Sequence, residues 1–301
     1  MRKVVALTGG SGLLAVNLAV LMARQYDVYL FLHKRSLKLK GITTEFLDLA
    51  SPSVIISRLQ ELKVDILINC AALTNIETCE KDPDSAIYVN ATIANNIALA
   101  CSTSGVKLIH ISTDHLYDGK DSFYTEEDSI KPLNLYGYSK ALGEDKVLKS
   151  CQKSLVLRTN FFGWGLPYRK SFSDFILTNL ENQTPLYLFT DVFFTLVLMS
   201  QLFFAISSLI QLDENGVFNV STSDRISKYD FGCCLAKVFS CQTDLIKSSL
   251  FLDRGDLIQR PLDMSLSNKK LITAVHQFND DINTHIHLLN QLPNNIPSFV
   301  L

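Results

Sequence analysis

Short apolar runs closed by glycine or small polar residues alternate with longer stretches of helical spacing through the first half of this 301-residue chain. Val4–Leu7 is wholly apolar and β-rich, as expected of a strand buried on both faces of a parallel sheet. A glycine-rich turn follows, and the apolar stretch after it, to Arg24, predicts a helix. Val28–Leu32 predicts a second strand, Phe46–Leu49 a third, and Val64–Asn69, running on into Ala71 and Ala72, a fourth. From Asp84 to Ser104 the apolar positions Ala86, Val89, Ile93, Ile97 and Ala100 recur at helical spacing, and Val106–Ile111 is a fifth strand. Strands alternating with helices in this way predict an α/β fold: a Rossmann-like, doubly wound parallel sheet.

The second half is less regular. A large α/β domain is expected over residues 1–158, with 187–212 returning to it, and a smaller domain over 159–186 and 213–301. Val217–Val220 predicts a short strand and Lys228–Phe239 an amphipathic helix. The run Val192–Ile210 carries no formal charge and is long enough to cross a bilayer. It contains Thr195, Ser200, Gln201, Ser207 and Ser208, however, and no Lys or Arg lies between Lys170 and Arg225 to orient a span. A buried strand and helix is the expectation. The turn at Thr8–Gly12 interrupts the first apolar run, so no secretory leader is expected.

Composition narrows the class. With 47% hydrophobic and 19% charged residues the chain can build a large core, which excludes disorder over most of its length. A net charge of -2 provides no basic field for nucleic acid. The seven cysteines show no zinc spacing and read as reduced thiols of a cytoplasmic protein. His276, His285 and His287 lack ligand spacing and read as solvated helix positions, so no metal is expected.

The candidate chemistry begins at Thr8-Gly9-Gly10-Ser11-Gly12-Leu13-Leu14-Ala15. Glycines at 9 and 12 permit a sharp strand-to-helix turn, and the helix opened by Leu13 and Leu14 directs its positive end at a dinucleotide pyrophosphate. The second strand ends in His33-Lys34-Arg35 rather than an acid, so Lys34 and Arg35 would neutralise a 2′-phosphate. NADPH is therefore the expected cofactor, with NADH left open. Asp48, with Leu49 beside it, stands where an adenine would be met, and Ala71 and Ala72 leave room for a nicotinamide ribose. Tyr136 and Lys140 share one helical face, where the ammonium would favour phenolate and lower the phenol's pKa. Thr113, at the end of another strand, would polarise the same substrate oxygen.

These residues resemble the extended short-chain dehydrogenase/reductases, and among them the dTDP-4-dehydrorhamnose reductase family. The resemblance is carried by TGGSGLLA (Thr8–Ala15), NCAALTNIETCEKDP (Asn69–Pro83), VNAT (Val89–Thr92), ISTDHLYDG (Ile111–Gly119), EEDSIKPLNLYGYSKALGE (Glu126–Glu144), LRTNFFG (Leu157–Gly163) and RPLDMSL (Arg260–Leu266). It implies that 1–158 is a Rossmann domain binding NADP and that 159–186 with 213–301 is a smaller, C-terminal substrate-binding domain. It implies a catalytic set of Thr113, Tyr136 and Lys140, with Asn90 supporting the lysine on the cofactor side. It implies substrate contacts at Thr74, Thr113, His115, Phe161 and Arg260. The implied activity is NADPH-dependent reduction of the 4-keto group of a nucleotide-linked deoxysugar, in surface-polysaccharide sugar biosynthesis. Related sugar dehydratases need a carboxylate directly after Thr113-Asp114, where this chain has His115. A nucleotide-sugar epimerase and a non-catalytic regulatory subunit stay open as alternatives. The expected partner is a nucleotide-sugar, with neither nucleic acid nor membrane, and a homodimer is left open.

Overall fold

A computed structural model describes residues 2–292. The first half comprises β1 (Val4–Thr8), α1 (Leu13–Met22), β2 (Asp27–Leu32), β3 (Thr43–Phe46), α2 (Pro52–Leu62), β4 (Ile66–Asn69), α3 (Ile76–Lys81), α4 (Pro83–Ile87), α5 (Ile93–Ser104), β5 (Lys107–Ile111), α6 (Leu135–Ser150) and β6 (Leu155–Thr159). The second comprises β7 (Phe161–Phe162), α7 (Phe172–Glu181), β8 (Leu186–Phe189), β9 (Phe193–Phe194), β10 (Val197–Leu198), α8 (Met199–Gln211), β11 (Gly216–Val220), β12 (Ile226–Ser227), α9 (Lys228–Val238), β13 (Ile246–Ser249), α10 (Lys269–Ala274) and α11 (Ile282–Gln291).

Seven strands form one parallel sheet in the order β11-β6-β5-β4-β1-β2-β3. Helices cover both faces, so a central strand such as β4 is buried at every position and its sequence is nearly all aliphatic. On one face α1 and α8 pack together over Leu7, Leu30 and Ile68. On the other, α2, α5 and α6 bury Ile55, Leu59, Ile97 and Val147 against Ala6, Leu67 and Leu108. The chain leaves β1 toward β2 and β3 on one side, and later proceeds from β4 toward β11 on the other. The crevice where this direction reverses lies between the carboxyl ends of β1 and β4, the usual ligand position in such sheets.

The remaining elements form a third core, in which Phe162, Phe194 and Phe231 pack with Leu180, Leu235 and Ile286. The rings of Phe162 and Phe231 meet edge to face at 5.1 Å. His285 is buried in α11, contrary to a solvated position: Leu198 N donates to its Nδ1 (3.4 Å), and Nε2–H then donates to Asn279 O (2.9 Å).

Three expectations need correction. The third strand is Thr43–Phe46, not Phe46–Leu49: as the edge strand beyond β2 it is largely uncovered, so Thr-Thr-Glu suits it. The chain then turns, with Ala50 N donating to the Asp48 carboxylate (2.9 Å). The single helix of 84–104 is broken by a π-turn at Tyr88–Thr92 between α4 and α5. The segment returning to the large sheet is also shifted, running over 199–220 rather than 187–212. Leu186–Phe189 pairs with β13 outside the large sheet, whereas α8 packs on α1 and delivers β11, expected in the substrate domain, to the edge beside β6. α8 has 13 residues, and no helix among the described residues is long and apolar enough to cross a membrane.

Candidate active site

The switch-point crevice rests on a buried polar chain. Thr8 Oγ1 donates to Asn69 Oδ1 (2.6 Å), which also accepts from Ala71 N (3.1 Å) and so fixes the turn after β4. Asn69 Nδ2 donates to His110 Nδ1 (3.0 Å). Burial, with Lys140 nearby, pushes the His110 pKa well below its ordinary value, so the ring is neutral and carries its proton on Nε2. Gly9, with φ +64°, lies so close to the end of β4 that a Cβ would come 2.8 Å from Cys70 O. No side chain caps α1 at Gly12 and no acid occupies its first turn, so its opening amides are free for an anion.

Around this loop lies a cavity of about 290 Å³, lined by Gly9, Gly12, His33, Asp48, Leu49, Ala71 and Ala72 among others. Free amides, an uncapped positive helix end and small residues at the strand ends fit the adenosine diphosphate part of a nicotinamide dinucleotide. Lys34 and Arg35 are exposed on the loop after β2 and do not line the cavity; the Arg35 guanidinium stands 4.3 Å over the Tyr168 ring.

A second cavity, about 300 Å³, adjoins the first and brings together Leu13, Leu14, Thr74, Thr113, His115, Tyr136, Lys140 and Phe161. Thr113 and His115 follow β5, while Tyr136 and Lys140 come from the first turns of α6. Asn134 fixes that helix start, its side-chain oxygen accepting from Gly137 N (2.9 Å) and its amide donating to Gln259 O (3.0 Å). Gly137 has no Cβ that would collide with His115 O, so α6 can lie directly on the loop carrying Thr113. The His115 and Tyr136 rings meet edge to face at 5.5 Å. Farther along α6, Glu144 binds Arg158 of β6 through Arg158 Nη2 (2.8 Å) and Nε, both groups being buried.

The electrostatics differ from the expectation. Burial raises the Tyr136 pKa above the ordinary phenol value, with the Thr113 hydroxyl pulling the other way and Asp114 adding to the rise. Lys140 is not what sets it: its ammonium donates to Ile111 O (2.7 Å). Burial lowers the Lys140 pKa to about 8, against an upward pull from Glu144. The buried Asp114 carboxyl rises to about 6 despite accepting from Asn160 Nδ2 (2.7 Å). Burial, then Lys228 and Arg260, lower His115 to about 3.

Two further residues stand elsewhere than expected. Asn90 lines neither cavity: its carbonyl accepts from Leu73 N (2.8 Å), and its amide donates to Leu73 O (2.9 Å) and Ser139 Oγ (2.9 Å). It supports the π-turn and α6 rather than cofactor or lysine. Arg260 also lies outside both linings, with one guanidinium nitrogen on Glu77 and its Nε buried without a partner among the described residues. Sequence reasoning passed over Asn134, Asp114, Lys228 and Arg169. Asn134 had a readable signal as an N-cap residue just before Tyr136. Lys228 and Arg169 had none, because only the tertiary fold brings Arg169 into both linings and the charge of Lys228 near Asp114 and His115.

A switch-point dinucleotide crevice beside a buried Thr-Tyr-Lys cluster defines an NAD(P)-dependent oxidoreductase of the extended short-chain dehydrogenase/reductase type. The profile described as RmlD substrate binding domain matches residues 1–290, and the chain belongs to that family. It is a reductase of the kind found in sugar-nucleotide biosynthesis. A probable low-salt glycan biosynthesis reductase of Haloferax volcanii is 30% identical over 78% of this chain and 81% of its own length. The dTDP-4-dehydrorhamnose reductase of Aggregatibacter actinomycetemcomitans is 27% identical over 89% of this chain and 92% of its own. Among solved structures, dTDP-4-dehydrorhamnose reductase from Bacillus anthracis in complex with NADP superposes with a TM-score of 0.85 at 25% identity, covering 97% of this chain and 99% of that one.

Proposed function

We propose that the protein reduces the 4-keto group of a nucleotide-linked deoxysugar to an alcohol, with NADPH as reductant. NADPH, when bound, supplies the hydride. The observation that carries the reading is geometric: Thr113, Tyr136 and Lys140 line one cavity that adjoins the dinucleotide crevice. Tyr136, a phenol protonated at neutral pH, would give its proton to the carbonyl oxygen. Thr113 would donate to the same oxygen and steady its developing charge. Lys140, fixed to Ile111 O, would hold the nicotinamide ribose and keep a positive charge behind the phenol after it loses its proton. Each turnover takes up one proton from solvent, which restores the phenol.

The amides of Leu13 and Leu14 with Gly9 and Gly12 would hold the pyrophosphate, and Asp48 and Leu49 the adenine end. Lys34 and Arg35, exposed outside the lining on the loop that follows His33, would have to swing toward the cavity to meet the 2′-phosphate. His115, Phe161 and Thr74 would face the sugar. Lys228, which makes no salt bridge among the described residues, and Arg260 put positive charge beyond His115, where a sugar-nucleotide diphosphate would extend. A relative named a spore coat polysaccharide biosynthesis protein of Bacillus subtilis, 27% identical over 78% of this chain, supports a place in surface-glycan synthesis.

The test is loss of dihydronicotinamide absorbance when purified protein meets NADPH and a panel of 4-keto sugar nucleotides. Tyr136→Phe should bind NADPH as wild type does while turnover falls ~100-fold or more, the scale of a lost general acid. Undiminished turnover in that variant would remove Tyr136 from the mechanism.

A further inference from the structure

The two cavities described above adjoin, and part of their linings is shared. The residues common to both linings are Gly12, Cys70, Ala72 and Arg169. Gly12, Cys70 and Ala72 belong to the turns after β1 and β4. Arg169 comes from far along the chain, in the segment between β7 and α7.

That segment is firmly placed. Leu166 and Arg169 form an isolated antiparallel bridge, with Leu166 N donating to Arg169 O (2.9 Å) and Arg169 N to Leu166 O (3.0 Å). Upstream, Trp164 O accepts from Asn17 Nδ2 of α1 (3.2 Å). Tyr168 OH donates to Ser11 O in the glycine loop itself (3.1 Å), and Arg35 stacks on the Tyr168 ring. Downstream, Ser171 and Asp174 form a capping box that begins α7. The Arg169 side chain is left exposed on the shared rim, where its one hydrogen bond among the described residues is from Nη2 to Thr74 Oγ1 (3.3 Å). No carboxylate forms a salt bridge with it among the described residues.

We propose that Arg169 binds the pyrophosphate of the dinucleotide cofactor, closing over it from the side opposite the glycine loop. This rests on the reading of NADPH as the cofactor. A dinucleotide with its adenosine end beside His33 and Asp48 and its nicotinamide end beside Tyr136 must pass its middle through the residues both cavities share. That middle is the pyrophosphate. An arginine fork with a single neutral partner is suited to bidentate phosphate contact, and the uncapped start of α1 would meet the same anion from below. The substrate half of the molecule thereby contributes a cofactor-binding residue, and Tyr168 would tie its loop to the glycine loop at the same place.

Binding of NADPH and of NADH, measured by calorimetric titration on wild type, Arg169→Ala, Arg169→Gln and Arg35→Ala, tests this. Both Arg169 variants should lose about 10- to 100-fold in affinity for each cofactor, the scale of a charge-assisted hydrogen bond, with the NADPH-to-NADH ratio unchanged. Arg35→Ala should lose affinity for NADPH selectively. Arg169 variants that bind both cofactors as wild type does, that lose NADPH alone, or that raise only the KM for the sugar nucleotide would overturn the proposal. Failure of wild type to bind either cofactor would instead strike the cofactor reading itself.

Discussion

Lys140 is nearly excluded from water, and its ammonium reaches one backbone carbonyl and no adjacent carboxylate. Burial brings its pKa down from the ordinary 10.5 to about 8. Between those two values the unfolded chain holds a proton that the folded chain has released, so wild-type stability rises as pH climbs through this window. Below it, the buried cation costs roughly 3 kcal/mol. Replacing Lys140 by Met removes that cost together with the function. Urea denaturation should therefore find the variant favoured most, relative to wild type, near pH 7, with the advantage shrinking by about 3 kcal/mol as pH approaches the unfolded value. An advantage that is the same at both ends of the range would contradict the assigned burial of charge. Loss of function with gain of stability is the usual mark of a residue kept for chemistry.

At the level of elements, α6 decides the site. Asn134 starts it, Gly137 seats it against His115 O, and the Glu144–Arg158 pair anchors it to β6. Glu144→Ala would leave a buried guanidinium unpaired, and thermal or denaturant unfolding should show a loss of about 3–5 kcal/mol. A double replacement, Glu144→Leu with Arg158→Met, should recover much of it, since the pair itself contributes little beyond mutual compensation. Gly137→Ala should lower turnover by at least about tenfold, because an added Cβ forces the start of α6 off His115 and moves the phenol from Thr113.

The elements readable in advance were those whose composition reflects two-sided burial. Val4–Leu7 and Ile66–Asn69 announce themselves because both faces are covered. β3 was misplaced since an uncovered edge strand needs no hydrophobic pattern, and Leu47 and Leu49, which look strand-like, belong to the turn beyond it. The π-turn at Tyr88–Thr92 leaves no mark on helical spacing over one turn. Glycine loop, Ser-Thr-Asp and Tyr-x-x-x-Lys were legible because each is local. Arg169 and Lys228 were not, because only the packing of the second half on the first brings Arg169 to the crevice and Lys228 near Asp114 and His115.

For the molecule as a whole, the crevice draws residues from the large sheet and from the elements around the third core, and the chain crosses between them several times: β6 to β7, β10 to α8, and β11 to β12. A ligand held by both halves should stabilise the fold as a unit. NADPH at about 100 times its Kd should add ~2.7 kcal/mol to the unfolding free energy in a single transition. Two transitions, with only the first shifted by NADPH, would mean that the second half does not share in binding.

The most direct test follows one atom. With NADPH carrying deuterium at the transferable position and a nucleotide-linked 4-keto-deoxysugar, proton NMR of the product should show the label at carbon 4 of the sugar, and Tyr136→Phe should yield almost none over the same time. Cofactor consumption without label in the sugar, label at another carbon, or equal labelling by Tyr136→Phe would contradict the account.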